Sequence, residues 1–277
     1  MARKGRAMGP RAAVSFLLAA VLAATVPAAG AEMTPDIIPH RALYSMRLAK
    51  VRSDSGVIDA QGAMEYEWGE TCSGWTIEQR YRLRMRYAES PDVEIQSNFV
   101  TWEAKDGTRY RFNDREMRNG KVTQDIRGTV QLDGPGKGGV AFFSTPQPHE
   151  RKLPPGVLFP SAHTILLIED ARAGKHFVVR QVFDGSADEG ASEVSAVIGP
   201  KLAADPAMQK LSPLLRRPGW NVRLAFFPAD SKTEEPDYEL GMKLLDDGVS
   251  EAMVIDYGEY AIDATLDDIE PLPKPHC

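Results

Sequence analysis

Few residues in this chain of 277 have the types and spacing that chemistry asks for. Gly134, Gly136 and Gly139 satisfy G-x-G-x-x-G, the spacing with which a loop lays a pyrophosphate against a helix N-terminus. That chemistry needs a strand before the loop and a helix after it. Here Val140-Ala141-Phe142-Phe143 follows, which reads as a strand, and Pro135 stiffens the loop, so the three glycines are read as a turn. The histidines His40, His149, His163, His176 and His276 never fall at metal-ligand spacing, and the sequence has neither H-E-x-x-H nor G-x-S-x-G. No catalytic residue, metal or cofactor is expected. His163 follows a proline-bounded loop at the start of an expected helix. A histidine can serve a reaction there, but the plainer reading is a local hydrogen-bond partner that pins the helix start. Arg80, Arg82, Arg84 and Arg86 alternate along one strand face. They could grip anionic lipid headgroups or acidic sugars; the plainer reading pairs them with acids on neighbouring strands.

The two cysteines, Cys72 and the final residue Cys277, carry more information than any of these. An export signal precedes both. Arg3, Lys4, Arg6 and Arg11 form a basic start, residues 12–26 are almost wholly apolar, and Ala29-Gly30-Ala31 offers small side chains for cleavage between Ala31 and Glu32. The apolar run is too short for a bilayer span of about 20 residues. No cysteine follows the cleavage point to take a lipid, and no Arg-Arg pair precedes the run, so the general secretion route is expected. Two thiols in an exported chain are most simply one disulfide, fastening the C-terminal tail to the first third of the fold. Neither then remains as a zinc ligand or nucleophile.

Cleavage would leave 29 Lys+Arg against 39 Asp+Glu, a net charge of −10 that argues against nucleic-acid binding. The charge is uneven: residues 229–277 hold three basic and fourteen acidic side chains, residues 80–128 eleven and eight. Charge-biased faces are read first as solvated faces.

The elements that must position all of this are β-strands. Met64, Tyr66 and Trp68 alternate with polar neighbours, as do Tyr81, Leu83, Met85 and Tyr87, then Tyr110 and Phe112, then Tyr238, Leu240, Met242 and Leu244, then Tyr260, Ile262, Ala264 and Leu266. A strict period of two marks antiparallel strands with one wet face. Turn pairs punctuate them at Ser55-Gly56, Asp106-Gly107, Asn119-Gly120, Asp184-Gly185 and Asp247-Gly248. The spacing predicts a mainly β meander of twelve to fourteen strands in a single domain over residues 32–277. One helix of about three turns is predicted near residues 161–173, with Ser161 as N-cap, Ala162, Ile165, Leu166 and Ala173 as its buried stripe, and Gly174 as its stop. A second short helix is expected near Asp205-Pro206, and the connector at residues 144–160 is where two half-sheets would divide.

Thr71-Cys72-Ser73-Gly74-Trp75-Thr76 with Gln79-Arg80-Tyr81, His40-Arg41-Ala42-x-Tyr44, and Leu158-Phe159-Pro160-x-x-His163 resemble segments of the EipB-like cell envelope integrity proteins of alphaproteobacteria, in the same order and with a terminal cysteine. The resemblance implies a periplasmic protein folded as a β-spiral, a long antiparallel sheet curled into a half-barrel. It also implies a disulfide between Cys72 and Cys277 and a role in envelope integrity; it assigns no catalytic residues. Three functions are then weighed. The first is a non-catalytic envelope factor that acts through a periplasmic or envelope protein partner, since free sheet edges invite strand addition. The second is a carrier that shelters lipid or lipoprotein acyl chains in the concave face. The third is a cell-wall or polysaccharide hydrolase, which needs two carboxylates about 5–10 Å apart in a cleft. Whether faces such as Tyr81/Leu83/Met85 meet a filled core or a cavity separates the second from the first.

Overall fold

The alternating segments form fourteen strands in a computed structural model that describes residues 36–188, 190–228 and 235–277. The expected export signal and its cleavage site lie outside these residues. The first meander comprises β1 (His40–Val51), β2 (Val57–Glu70), β3 (Gly74–Tyr87), β4 (Val93–Ala104), β5 (Arg109–Arg118), β6 (Lys121–Leu132), β7 (Gly139–Thr145) and β8 (His149–Leu153). Helix α1 (Pro160–Arg172) follows. The second meander comprises β9 (Phe177–Val182), β10 (Ser192–Leu202), β11 (Gly219–Phe227), β12 (Tyr238–Leu245), β13 (Ser250–Asp256) and β14 (Tyr260–Pro271).

All pairings between these strands are antiparallel, in one sheet of order β8-β7-β6-β5-β4-β3-β2-β1-β14-β13-β12-β11-β10-β9. Every neighbour pair is a sequential hairpin except β1–β14, the seam that joins the two meanders with registers such as Arg41↔Glu270 and Met46↔Ala264. The tightest turn shows why the residues matter. Asn119 and Gly120 both adopt positive φ (49° and 75°), which suits a two-residue hairpin between Arg118 and Lys121. The three G-x-G-x-x-G glycines form the β6–β7 turn, and a strand follows them.

The connector and α1 carry the chain from one end of the sheet to the other. The sheet curls without closing into a barrel. Leu158 bridges its ends, donating its N–H to Gln181 O and accepting from Phe183 N, both at 2.9 Å. Inward side chains gather in three clusters: Tyr44, Met46, Leu83 and Leu266 near the seam; Trp68, Val222 and Leu244 with α1; and Tyr110, Phe112, Phe143 and Phe183 beside the connector.

Helix α1 differs from expectation in two respects. Its N-cap position is Phe159, in extended conformation, with Pro160 at the first helical position. Ser161 is already inside the first turn and is not the cap. Its buried residues are His163, Leu167, Ile168 and Ala171, with Ser161 and Asp170, a stripe rotated from the one at Ala162, Ile165, Leu166 and Ala173. The cap lies two residues earlier than expected, and the face that packs against Trp68, Val194 and Val222 carries Leu167, Ile168 and Ala171. Gly174 ends it as expected: its φ is +75°, and Gly174 N and Lys175 N return to Ala171 O and Asp170 O. Short 3-10 turns at Met208–Lys210 and Pro213–Leu215 stand where the second helix was expected.

A disulfide joins Cys72, in the β2–β3 turn, to Cys277 across 205 residues. The tail approaches it over the surface, held by Leu272 N to Pro39 O at 2.8 Å and by Lys274 Nζ to Asp36 Oδ1 at 2.8 Å.

Candidate functional site

The sheet's inner faces do not fully meet. Between β2–β4 on one side and β11–β13 on the other lies a cavity of about 410 Å³. Met64, Tyr66, Tyr81 and Phe99 form one wall, Phe226, Leu240, Met242, Met253 and Ile255 the other, and the first turn of α1 roofs it through Pro160, His163 and Thr164. Tyr66, Phe226, Leu240, Met242 and Met253 point inward yet stay only half-buried, because the facing strands stand too far apart to cover them. Of the expected Tyr81/Leu83/Met85 face, Leu83 and Met85 enter a filled core while Tyr81 lines the cavity. The volume falls in the range of small-molecule sites, about 300–1,000 Å³.

The roof is fixed by a carboxylate. Glu103 on β4 is 2% exposed, and its two oxygens accept Ser161 N and Ala162 N at 2.8 Å each, doing for α1 what a capping side chain would do. Burial pushes its pKa up to about 7, against the pull of those N–H groups. His163 projects under α1, and burial lowers its pKa to about 4, so it is neutral. Its Nε2 is buried without a hydrogen-bond partner among the described residues, while its backbone N–H makes the first helical bond, to Phe159 O at 2.9 Å. Glu103 pins the helix start; the side chain of His163 does not.

A second polar group lies along the cavity, around the loop that follows β9. Gln124 Nε2 bridges Asp114 Oδ2 (2.5 Å) and Ser186 O (2.8 Å), while Asp184 Oδ1 accepts from Ser186 N and Oγ at 2.9 and 2.8 Å. Asp114 is therefore held beside the loop of Asp184, which lines the cavity. Burial, with the charges of Asp184 and Glu116, pushes the Asp114 pKa up to about 6. Rings continue along the cavity: Phe226 stacks on Tyr238 at 4.3 Å, Tyr238 lies 6.2 Å from Tyr257, and Tyr257 5.2 Å from Tyr260. Tyr257 lines the cavity and is 44% exposed, so the cavity reaches the surface here.

The arginine row stays outside. Arg80 bonds Glu65 at 3.1 Å, Arg82 meets Glu94 at 3.5 Å, Arg84 meets Asp92 at 2.7 Å and Arg86 meets Asp59 at 3.6 Å. These are exposed pairs on the outer face, apart from the residues that line the cavity and worth little to stability. Glu103, Asp114 and Asp184 were missed from sequence. A signal existed for two of them. Glu103 is in phase with Ile95 and Phe99, and Asp114 with Tyr110 and Phe112, so each is a carboxylate on an inward-facing position.

The EipB-like family matches residues 31–273. A relative described as cell envelope integrity protein EipB, from Brucella abortus (strain 2308), is 28% identical over 246 residues, covering 86% of each chain. A crystal structure of a beta-barrel-like protein of a domain of unknown function, also from Brucella abortus, superposes with a TM-score of 0.79 at 26% identity, covering 86% of this chain and 99% of that one. This chain belongs to the EipB-like family.

Proposed function

We propose that this chain is a non-catalytic periplasmic protein that maintains the cell envelope, and that it does so by sheltering an apolar chain, such as a lipid or lipoprotein acyl group, between the two halves of its sheet. The envelope role is supported by the relative named for it, matched over most of both chains. Export fits the N-terminal signal and a disulfide closing the tail. The observation that carries the sheltering role is the cavity. Met242, Leu240, Met253 and Phe226 face it with uncovered apolar surface, which a folded protein otherwise buries.

Action through a protein partner is the second reading, favoured by the stretch of the β9 edge that precedes the Leu158 bridge. Phe177 (61% exposed) and Val179 on β9, with Val197 on β10, form an apolar outward patch on an edge strand. The opposite edge, β8, reads His-Glu-Arg-Lys-Leu, the kind of charged edge that resists pairing. Met242→Trp, which fills the cavity, separates the readings. In cells lacking the native protein, normally expressed Met242→Trp is expected to leave the envelope sensitive to detergent. Full rescue would refute the sheltering role and favour the edge.

A further inference from the structure

The cavity has a chemical sign at its open end, and that sign narrows what it can hold. Phenol rings and carboxylates gather where it reaches the surface. Tyr238 and Tyr257 line it, with Phe226 stacked on Tyr238 and Tyr260 tilted beside Tyr257. Asp184 lines it, Asp114 is tied to the same loop through Gln124, and Asp237 follows on the approach to β12. Among the described residues neither Asp114 nor Asp184 has a Lys or Arg partner. Arg118, which lies near Tyr81 and Tyr260, is engaged by Glu116 at 2.9 Å. The hydroxyls of Tyr66, Tyr238 and Tyr257 likewise take no protein partner among the described residues.

Each feature has its own consequence. Apolar walls accept a hydrocarbon chain, and about 410 Å³ holds one chain more readily than the paired chains of a phospholipid. Ring faces carry negative quadrupole charge and attract cations, most strongly where water is excluded. Carboxylates held together without counter-charge repel an incoming anion and stabilise an incoming cation. A carboxylate or phosphate head would meet both repulsions at once.

We propose that the cavity binds a single-chain amphiphile with a cationic head, an amine or quaternary ammonium, whose chain lies among Met64, Leu240, Met242 and Met253 and whose charge rests among Tyr238, Tyr257 and Asp184. The inference rests on the sheltering role proposed above and adds the charge of the head group to it. Its test compares three probes of equal chain length, kept below their micelle concentrations, on the mature chain: decyltrimethylammonium, decanoate and decanol, by calorimetric titration. Decyltrimethylammonium is expected to bind at least about tenfold tighter than decanoate, with decanol between. Asp184→Asn, which keeps Oδ1 for Ser186, is expected to shrink that ratio to about threefold or less while leaving decanol affinity unchanged; unchanged decanol binding also reports that the variant is folded. Equal or tighter binding of decanoate would overturn the cationic head and leave the sheltering role standing. Failure of all three probes would overturn both. A ratio unmoved by Asp184→Asn together with Asp114→Asn would overturn the site.

Discussion

Cutting the disulfide is expected to cost this protein a large part of its stability without changing its fold. The bond closes a loop of 205 residues. In the chain-entropy treatment, leaving such a loop open returns about 5 kcal/mol of entropy to the denatured chain, and measured cases often deliver about 2–4 kcal/mol. Little on the folded side replaces it. Beyond Pro271 the tail keeps, among the described residues, one backbone bond, Leu272 N to Pro39 O, worth about 1 kcal/mol, and the exposed Lys274–Asp36 pair, worth less than about 1 kcal/mol. The fourteen strands pair without the bond, so the far-UV spectrum of Cys277→Ser at low temperature should match that of the native protein. For a domain of this size about 1 kcal/mol moves the melting temperature by about 2–4 °C, so a fall of about 5–20 °C is expected by circular dichroism. Cys72→Ser/Cys277→Ser should melt within about 2 °C of the single variant, since either change opens the same loop. Oxidised and reduced native protein melting within about 2 °C of each other would refute the reasoning.

Two buried groups should bend stability against pH in opposite directions. Glu103 has its folded pKa raised from 4.5 to about 7, so the folded state holds the extra proton, and its contribution is lost as pH rises through that interval, by up to about 3 kcal/mol. Glu103→Gln should remove that decline in denaturant midpoints measured from pH 4.5 to pH 8. His163 has its folded pKa lowered from 6.5 to about 4, so its contribution is full above pH 6.5 and is lost as pH falls towards 4. His163→Leu should therefore flatten the acid limb and stay within about 1 kcal/mol of the native protein at pH 8, because it removes a buried nitrogen that has no partner among the described residues. A loss above about 3 kcal/mol at pH 8 would show that the imidazole makes an essential bond. Lys274→Ala should change stability by less than about 0.5 kcal/mol in the same assay, and a larger loss would mean the tail is held by more than its disulfide.

Much of this architecture was readable from residue order, for a physical reason. Strands with one wet face repeat every two residues, so Tyr81, Leu83 and Met85 against Arg80, Arg82, Arg84 and Arg86 declare both an element and its faces. Asn119-Gly120 marks a turn because few other pairs tolerate positive φ at both positions, and Asp247-Gly248 because Gly248 takes it at φ 92°. What pairs across long separations is silent in such patterns. Nothing local announces that β1 lies against β14, or that Leu158 reaches β9. The same limit explains the errors at α1. Ser161 looks like a cap because caps are usually local, whereas this helix takes its cap from Glu103, 58 residues upstream. The cavity was legible only as a question. Periodicity says which side chains point inward, and the distance between facing strands decides whether they touch.

The measurement that bears most directly on the cavity is native mass spectrometry of the mature protein recovered from its own periplasm, followed by solvent extraction of whatever travels with it. The sheltering role requires a bound mass that extracts as a molecule with one hydrocarbon chain and is lost in Met242→Trp. A bare chain recovered under conditions that preserve other lipid complexes, or an adduct that persists in Met242→Trp, would contradict it.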